Sequence, residues 1–131
     1  LQNKKPGATI HYVNSKIDSG VVIDQEYLKT DLTDTGFKLQ KKMEISLVRL
    51  LLKNWDKIIK FYRNDLFITK QRGNYNKKNL AYKFKFLKSN KNYKALDLIN
   101  ILRAFTFKNY EGATMKYNKD MYQFKLTIKK K

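Results

Sequence analysis

Few residues of this chain are equipped for chemistry. The sequence contains no cysteine, which excludes disulfides, thiolate zinc sites and cysteine nucleophiles. Its single histidine is His11, so no histidine cluster is available to hold a metal, and we expect no metal site. The chemistry therefore has to come from carboxylates, amides, aromatic rings and the many basic side chains.

Asp18 is the carboxylate with the most suggestive position, because it lies in a polar loop, residues 14–20, between two strand-like segments. A carboxylate placed beside an imidazole fixes the tautomer of the ring and stabilises its charged form. An aspartate just before Ser19 and Gly20 is also a common loop cap. From the residue types alone, the capping role is the favoured interpretation of Asp18.

The segments on either side of this loop have the composition of strands. Residues 8–13 form a β-branched and aromatic run that follows a turn signal at Pro6. Residues 21–23 form a continuous apolar run, which suits a strand buried on both faces and continuing toward Tyr27.

A long helix is expected next. Thr33 and Thr35, with Asp31 and Asp34 nearby, supply N-cap chemistry and negative charge for a helix start. One apolar stripe at three-residue and four-residue steps then predicts a helix from roughly residue 35 to 60: Leu39, Met43, Leu47, Leu51, Trp55 and Ile58.

The second half of the chain predicts a half-exposed strand at residues 82–86, a helix and a hairpin. The loop at residues 89–92 can cap the helix at residues 93–105, and the hairpin at residues 114–129 turns at residues 118–120. The expected buried positions are Ala95, Leu98, Ile99, Leu102 and Phe105 in the helix, and Tyr122, Phe124, Leu126 and Ile128 in the last strand.

The net charge of +18, from 29 basic and 11 acidic residues, first suggests a nucleic-acid partner. Lysine supplies nearly all of that charge, whereas arginine, the better bidentate reader of phosphate and guanine, occurs only at positions 49, 63, 72 and 103. Nucleic acid is therefore not the expected partner. A membrane is not expected either, because the sequence has no apolar run long enough to span one and its polar start is not a signal peptide.

Two stretches carry a resemblance to a known superfamily. Residues 7–13 (GATIHYV) and 16–23 (KIDSGVVI) resemble the strand, Asp-x-Gly loop and strand of the folate-dependent formyltransferases. Residues 98–107 (LINILRAFTF) and 110–113 (YEGA) are similar to the segment after the catalytic core in the nucleotide-sugar N-formyltransferases. The long helix and residues 71–75 (QRGNY) stand between them in the expected order, so the resemblance covers almost the whole chain.

The resemblance implies an α/β fold. Residues 1–62 would be the closing strands and helix of a Rossmann-like formyltransferase core, and residues 63–131 an appended α+β region with the helix and hairpin. The match begins in the middle of the family's catalytic domain, whose Asn-x-His pair and first folate loops would precede residue 1. We therefore expect a C-terminal part that works with the N-terminal half of the enzyme, in cis or in trans, as a homodimer.

The same resemblance implies roles for individual residues. Asp18 would orient and polarise the catalytic histidine, and Asn14, Ser15, Lys16 and Ile17 would line the pteridine end of a site for 10-formyltetrahydrofolate. Arg103, Phe107 and Tyr110 would contact the nucleotide-linked sugar. The alternatives are a helix C-terminal cap for Arg103 and a core position for Phe107.

The function expected from the resemblance is formyl transfer to the amine of a dTDP-linked or similar nucleotide-linked amino sugar, in the cytoplasm, for a surface polysaccharide, with the chain alone inactive. A fragment of methionyl-tRNA formyltransferase and a small basic nucleic-acid-binding protein are the alternatives. The former continues into a β-barrel domain, for which the residues after Ala113 do not suffice. Three departures from the family pattern leave the sugar open: Lys108-Asn109 for Pro-Pro, Asn76 for His and Asn79 for Asp.

Overall fold

The computed structural model describes residues 5–13, 20–62 and 82–131. It is a mixed α/β structure with an antiparallel sheet, β1-β2, and a mixed sheet, β3-β4-β5. The elements in chain order are β1 (Gly7–His11), β2 (Val22–Tyr27), α1 (Gly36–Lys53), α2 (Trp55–Tyr62), β3 (Phe86–Leu87), α3 (Ala95–Ala104), β4 (Ala113–Tyr117) and β5 (Asp120–Phe124).

The chain divides into two compact units, each built from two segments. The first unit comprises Leu1–Thr30 and Lys41–Tyr75, and the second comprises Asp31–Gln40 and Asn76–Lys131. The predicted division between residues 1–62 and 63–131 concerns the boundary of a family domain, and it stays a prediction.

Strands β1 and β2 confirm the two strands expected around the Asp18 loop. They pair antiparallel, with Gly7 opposite Tyr27, and the register shifts between Ile10 and His11. The expectation that the apolar run at residues 21–23 is buried on both faces is wrong, because Val22 remains 40% exposed. An antiparallel pair commonly has one wet face, whereas burial on both faces is typical of parallel sheets.

Helix α1 begins where the capping residues predicted it. The Lys38 amide donates to Thr35 Oγ1 at 3.3 Å, and helix α1 starts at Gly36. Asp31 Oδ1 accepts hydrogen bonds from the amide and the hydroxyl of Thr33 at 2.8 and 2.7 Å, which fixes the turn before the helix.

The expected single helix is divided at Asn54, and its buried line was predicted only in part, because Leu39, Met43 and Ile58 are half-buried as expected but the rest of the stripe is exposed. Helix α1 ends at Lys53 and α2 begins at Trp55. The fully buried residues of this stretch are Ser46, Leu50 and Asn54, whereas Leu47, Leu51 and Trp55 of the expected stripe are 41 to 54% exposed. The inward face is rotated because carboxylates of β2 bind the polar residues of the buried line, as described below.

Helix α3 confirms the second predicted helix, but not its expected cap. Its N-cap residue is Lys94, without a side-chain hydrogen bond, so the loop at residues 89–92 does not cap it. Leu98, Ile99, Leu102 and Phe105 are half-buried as the stripe predicts, and Ala95 is exposed.

The strand expected at residues 82–86 is wrong except at Phe86, because the strand in the structure, β3, comprises only Phe86 and Leu87. Tyr82 lies in a helical turn, and the pairing begins only at Phe86, which lies parallel to Thr114 of β4. A partner so distant in sequence gives no local signal, which is why periodicity alone could not locate this strand correctly.

The C-terminal hairpin is confirmed, but its last strand ends at Phe124 and does not continue to residue 129 as expected. Strands β4 and β5 pair antiparallel out to Tyr117 and Asp120, around a two-residue turn whose first residue, Asn118, has a φ of 55°. Asparagine tolerates this left-handed conformation better than most residues, which is why the sequence predicts the turn. Phe124, Leu126 and Ile128 are half-buried as expected, while Tyr122 is exposed.

The predictions for residues 71–75, Asn76 and Asn79 lie outside the described residues. In the part of the chain that the structure does describe, none of the helices is both long enough and apolar enough to cross a membrane.

Candidate functional site

The base of the loop that carries Asp18 is held by Tyr12. Its amide donates to the Val21 carbonyl at 2.9 Å and extends the strand pairing, while its hydroxyl donates to the Ile58 carbonyl of α2 at 2.9 Å. Burial raises the pKa of the Tyr12 hydroxyl. The two ends of the loop, at Tyr12 and Val21, are therefore fixed next to each other.

There is a steric reason for glycine at position 20, the last residue of the Asp-x-Gly pattern. A Cβ at this position would collide with the main-chain oxygen of Tyr12 and would lie 3.2 Å from the His11 ring. Glycine is the residue that permits this close approach of two backbone segments. The His11 Nδ1 lies 3.0 Å from the Tyr12 carbonyl oxygen, so the only histidine of the chain is engaged at the loop base.

The predicted catalytic and folate-binding residues, Asp18 and residues 14–17, lie outside the described residues. Their assignments stay predictions from the family resemblance. The structure describes the residues at the two ends of this loop.

A polar network joins β2 to α1 in the first unit. Glu26 accepts a hydrogen bond from the buried Ser46 hydroxyl and pairs with Arg49 at 2.8 Å. Asp24 accepts from Asn54 Nδ2 at 2.8 Å and from Lys53 Nζ at 3.0 Å. The hydrogen bond from Asn54, and then that from Lys53, lower the pKa of Asp24 to about 2.

Sequence reasoning missed this network. Asn54 is 0% exposed, and its amide also donates to the Leu50 carbonyl at 2.9 Å. Within a helical segment, asparagine and serine usually face water, so no local pattern indicates that Ser46 and Asn54 point inward. The one available signal was the pair of acidic residues in β2, Asp24 and Glu26, on a strand next to a helix rich in basic residues.

Arg103, a predicted sugar-site residue, reaches from α3 to the turn before α1. Its Nε donates to the Asp34 carbonyl and its Nη2 to the Asp31 carbonyl, each at 2.8 Å. Its Nη1 lies 3.5 Å from Asn100 Oδ1, which is a weak contact. These bonds give Arg103 a positioning role in the second unit, and its contact with a diphosphate stays a prediction.

Phe107 and Tyr110 are brought together. Their ring centroids lie 5.9 Å apart with planes at 88°, an edge-to-face arrangement. Phe107 is half-buried beside Gly36, where a Cβ would lie 2.6 Å from its ring and would collide with the Ala104 carbonyl oxygen. Tyr110 is 72% exposed, so most of this residue is open to solvent.

The segment between α3 and β4 is tied down by Thr106 and Lys85. The Thr106 hydroxyl donates to the Leu102 carbonyl at 2.8 Å and accepts from the Leu126 amide at 3.0 Å. Lys85 pairs with Glu111 at 2.8 Å, and this hydrogen bond and charge lower the pKa of Glu111. Lys85 was not among the predicted site residues, because a lysine among so many gives no signal.

The described residues include an exposed aromatic ring, Tyr110, in contact with Phe107, and a loop base that Tyr12 fixes by hydrogen bonds. An exposed ring is suited to binding, and a fixed loop base is suited to positioning. In residues 5–13, 20–62 and 82–131, no group of three His, Cys, Asp or Glu side chains could hold a metal ion.

Comparison with known proteins shows which class of protein this chain resembles. Residues 83–130 match the family described as the N-formyltransferase dimerization C-terminal domain. No curated protein matches the chain significantly in sequence.

Solved structures of formyltransferases share the fold. A 4-N formyltransferase from Francisella tularensis is 25% identical, with a TM-score of 0.79 over 93% of this chain and 50% of that protein. A sugar N-formyltransferase from a Shewanella species is 20% identical, with a TM-score of 0.75 over 92% of this chain and 49% of that protein. A Mycobacterium tuberculosis protein is 20% identical, with a TM-score of 0.78 over 94% of this chain and 53% of that protein.

The fold is therefore that of part of a formyltransferase, and the chain spans about half the length of the solved structures it matches. The family match at residues 83–130, together with these structures, confirms the resemblance to the C-terminal part of the sugar N-formyltransferases.

Proposed function

We propose that this chain serves as the C-terminal part of a nucleotide-sugar N-formyltransferase, with residues 1–62 forming the closing part of a Rossmann-like core. The reaction is transfer of a formyl group from 10-formyltetrahydrofolate to the amine of a dTDP-linked or similar nucleotide-linked amino sugar. The observation that carries the proposal is the family match at residues 83–130. The strand, Asp-x-Gly loop and strand pattern upstream, with β1 and β2 paired around the loop, supports it.

Formyl transfer needs a neutral amine, a proton acceptor and a donor to the oxyanion of the tetrahedral intermediate. Asp18 orients the histidine that accepts the proton, which in this family belongs to an Asn-x-His pair. Because the only histidine of this chain is His11, engaged at the loop base, the 131 residues alone are expected to be inactive. The assignment of the formyl donor and of its contacts at Asn14, Ser15, Lys16 and Ile17 rests on the resemblance alone.

The nucleotide-linked sugar is assigned to the region after α3. Tyr110 stacks on the base, since its side chain is exposed and its ring contacts the Phe107 ring edge to face. Arg103 uses its Nε and Nη2 to hold the turn before α1. Its Nη1 makes only a weak contact with Asn100, so this nitrogen is the one assigned to a diphosphate.

The enzyme is further proposed to be a cytoplasmic homodimer joined through the segment that matches the dimerization domain. Exposed apolar side chains at the hairpin support this, with Tyr117, Met121 and Tyr122 between 46 and 58% exposed. Side chains of this kind are typical of the buried centre of an interface.

Isothermal titration of the chain with a dTDP-linked amino sugar tests the substrate assignment. Tyr110→Ala should weaken binding by about 10-fold or more, because stacking on a base is worth about 1 to 3 kcal/mol. Tyr110→Phe keeps the ring and should bind within about 2-fold of the wild type, as should the matched control Tyr82→Ala. Equal binding by Tyr110→Ala would overturn the assignment of this ring. Tight, steeply salt-dependent RNA binding without nucleotide-sugar binding would favour the nucleic-acid alternative.

A further inference from the structure

The second half of helix α1 is apolar on nearly all sides. Six of the eight residues at positions 45–52 are apolar, and Arg49 is the one charged residue among them. A helix that is apolar all round is normally buried all round. Within residues 5–13, 20–62 and 82–131, this segment is covered on one side only.

The covered side faces β2. Ser46 and Leu50 are buried, and Ser46 and Arg49 bind Glu26. The remaining apolar side chains form what we call the α1 apolar face: Ile45, Leu47, Val48, Leu51 and Leu52, which are between 41 and 71% exposed. At 3.6 residues per turn they span about 160° of the helix circumference.

Two observations indicate what covers this face. The match to a dimerization domain lies at residues 83–130, so the segment associated with a second copy is a different part of the chain. The matched formyltransferases contain about as much polypeptide again as the part that this chain matches, 47 to 51% of their length.

We infer that the α1 apolar face is the docking surface for the other half of a formyltransferase catalytic core, a polypeptide of the kind that the matched structures contain outside the matched part. This inference rests on the proposed function and names the surface through which the two halves meet. It requires an apolar surface on the incoming half, packed against Val48 and Leu52, which are 58 and 71% exposed.

The test mixes the full 131-residue chain with the unmatched half of the Francisella tularensis 4-N formyltransferase and follows amide hydrogen exchange in α1. The amides of residues 45–53 should exchange at least about 10-fold more slowly in the mixture. The double variant Val48→Glu/Leu52→Glu should abolish this protection, and Ile45→Gln should reduce it. Lys57→Glu, an exposed α2 variant with the same change in net charge, should keep it. Glutamate is a good helix former, and circular dichroism verifies that the variants fold.

Two results would overturn the inference. One is the absence of α1 protection in the wild-type mixture, or protection that persists in the double variant. The other is a smaller oligomer for the double variant than for the wild-type chain when each is sedimented alone. That result would assign the face to a second copy of the chain. Nucleotide-sugar binding to the chain is measured separately, so its retention alongside a failed docking result leaves the proposed function standing.

Discussion

The hydrogen bonds inside the first compact unit differ in kind from those inside the second. In the first, side chains of β2 bind side chains of α1 and the residue after it, as in the bond from Asn54 to Asp24. In the second, the principal bonds end on the main chain: Arg103 donates to two carbonyl oxygens, and the Phe37 amide donates to the Thr106 carbonyl at 3.1 Å. The first unit therefore depends mainly on side-chain identity, whereas the second depends mainly on backbone geometry, with Lys85 and Glu111 as a side-chain ion pair.

The largest expected effect comes from the buried amide of the first unit. Asn54→Ala should lower the free energy of unfolding by about 3 kcal/mol, because it removes a charge-assisted hydrogen bond to Asp24 and leaves that carboxylate undersatisfied. Lys53→Ala removes an exposed partner of the same carboxylate and should cost less than about 0.5 kcal/mol. Urea denaturation measures both values. Equal costs would mean that Asn54 contributes no more than a surface ion pair.

In the second unit, the matching test is steric. Gly36→Ala should cost about 2 kcal/mol, because the added Cβ meets the Ala104 carbonyl oxygen and the Phe107 ring, and the helix propensity of alanine offsets only part of this overpacking. The substitution should also change the near-ultraviolet circular dichroism of the aromatic residues. A gain in stability would show that this close approach does not constrain the unit.

Arg103→Lys is expected to have a smaller effect. Lysine keeps the charge but cannot reproduce the fork that donates to the Asp31 and Asp34 carbonyl oxygens, so the loss should be about 1 kcal/mol. Arg103→Ala should cost more, since it also removes the packing of the side-chain stem. Thermal unfolding of the two variants gives the comparison, and a fully stable Arg103→Lys would reduce the role of Arg103 in the second unit to a point charge.

The smallest expected effect is the pH dependence. The folded pKa of Asp24 is lowered from 3.8 to about 2, so its stabilising contribution is complete above pH 3.8 and is lost as the pH falls through about 2. The pKa of Glu111 is lowered in the same direction by Lys85, but Glu111 is mostly exposed and salt screens the pair. Between pH 4 and pH 2, Asp24→Asn should flatten the fall of the urea midpoint more than Glu111→Gln. The reverse order would contradict the contrast between the units.

The same contrast explains how much of the structure the sequence predicts. The Thr35 cap, the Asn118 turn and the α3 stripe follow from local chemistry, and all three are confirmed. The break at Asn54 and the inward turn of Ser46 depend on partners in β2, far away in the sequence, and periodicity does not register them.

For the site, the family resemblance, not the residue types, pointed to the region of Phe107 and Tyr110, whose rings lie in contact. The main-chain partners of Arg103 could not have been predicted, because carbonyl oxygens exist at every residue and no sequence pattern selects those of Asp31 and Asp34. The need for glycine at positions 20 and 36 could not be predicted either. Each glycine lies close to the backbone of a separate segment of the chain.

Formyl transfer is the most direct measure of the central claim, that the chain completes a nucleotide-sugar N-formyltransferase. The assay combines 10-formyltetrahydrofolate, a dTDP-linked amino sugar and the full chain, with and without the unmatched half of the Francisella tularensis enzyme. We expect turnover only in the combined sample, and a loss of about 100-fold or more with Asp18→Asn, which removes the carboxylate proposed to orient the catalytic histidine. Turnover by the chain alone, no turnover in a docked mixture, or turnover insensitive to Asp18→Asn would contradict the account.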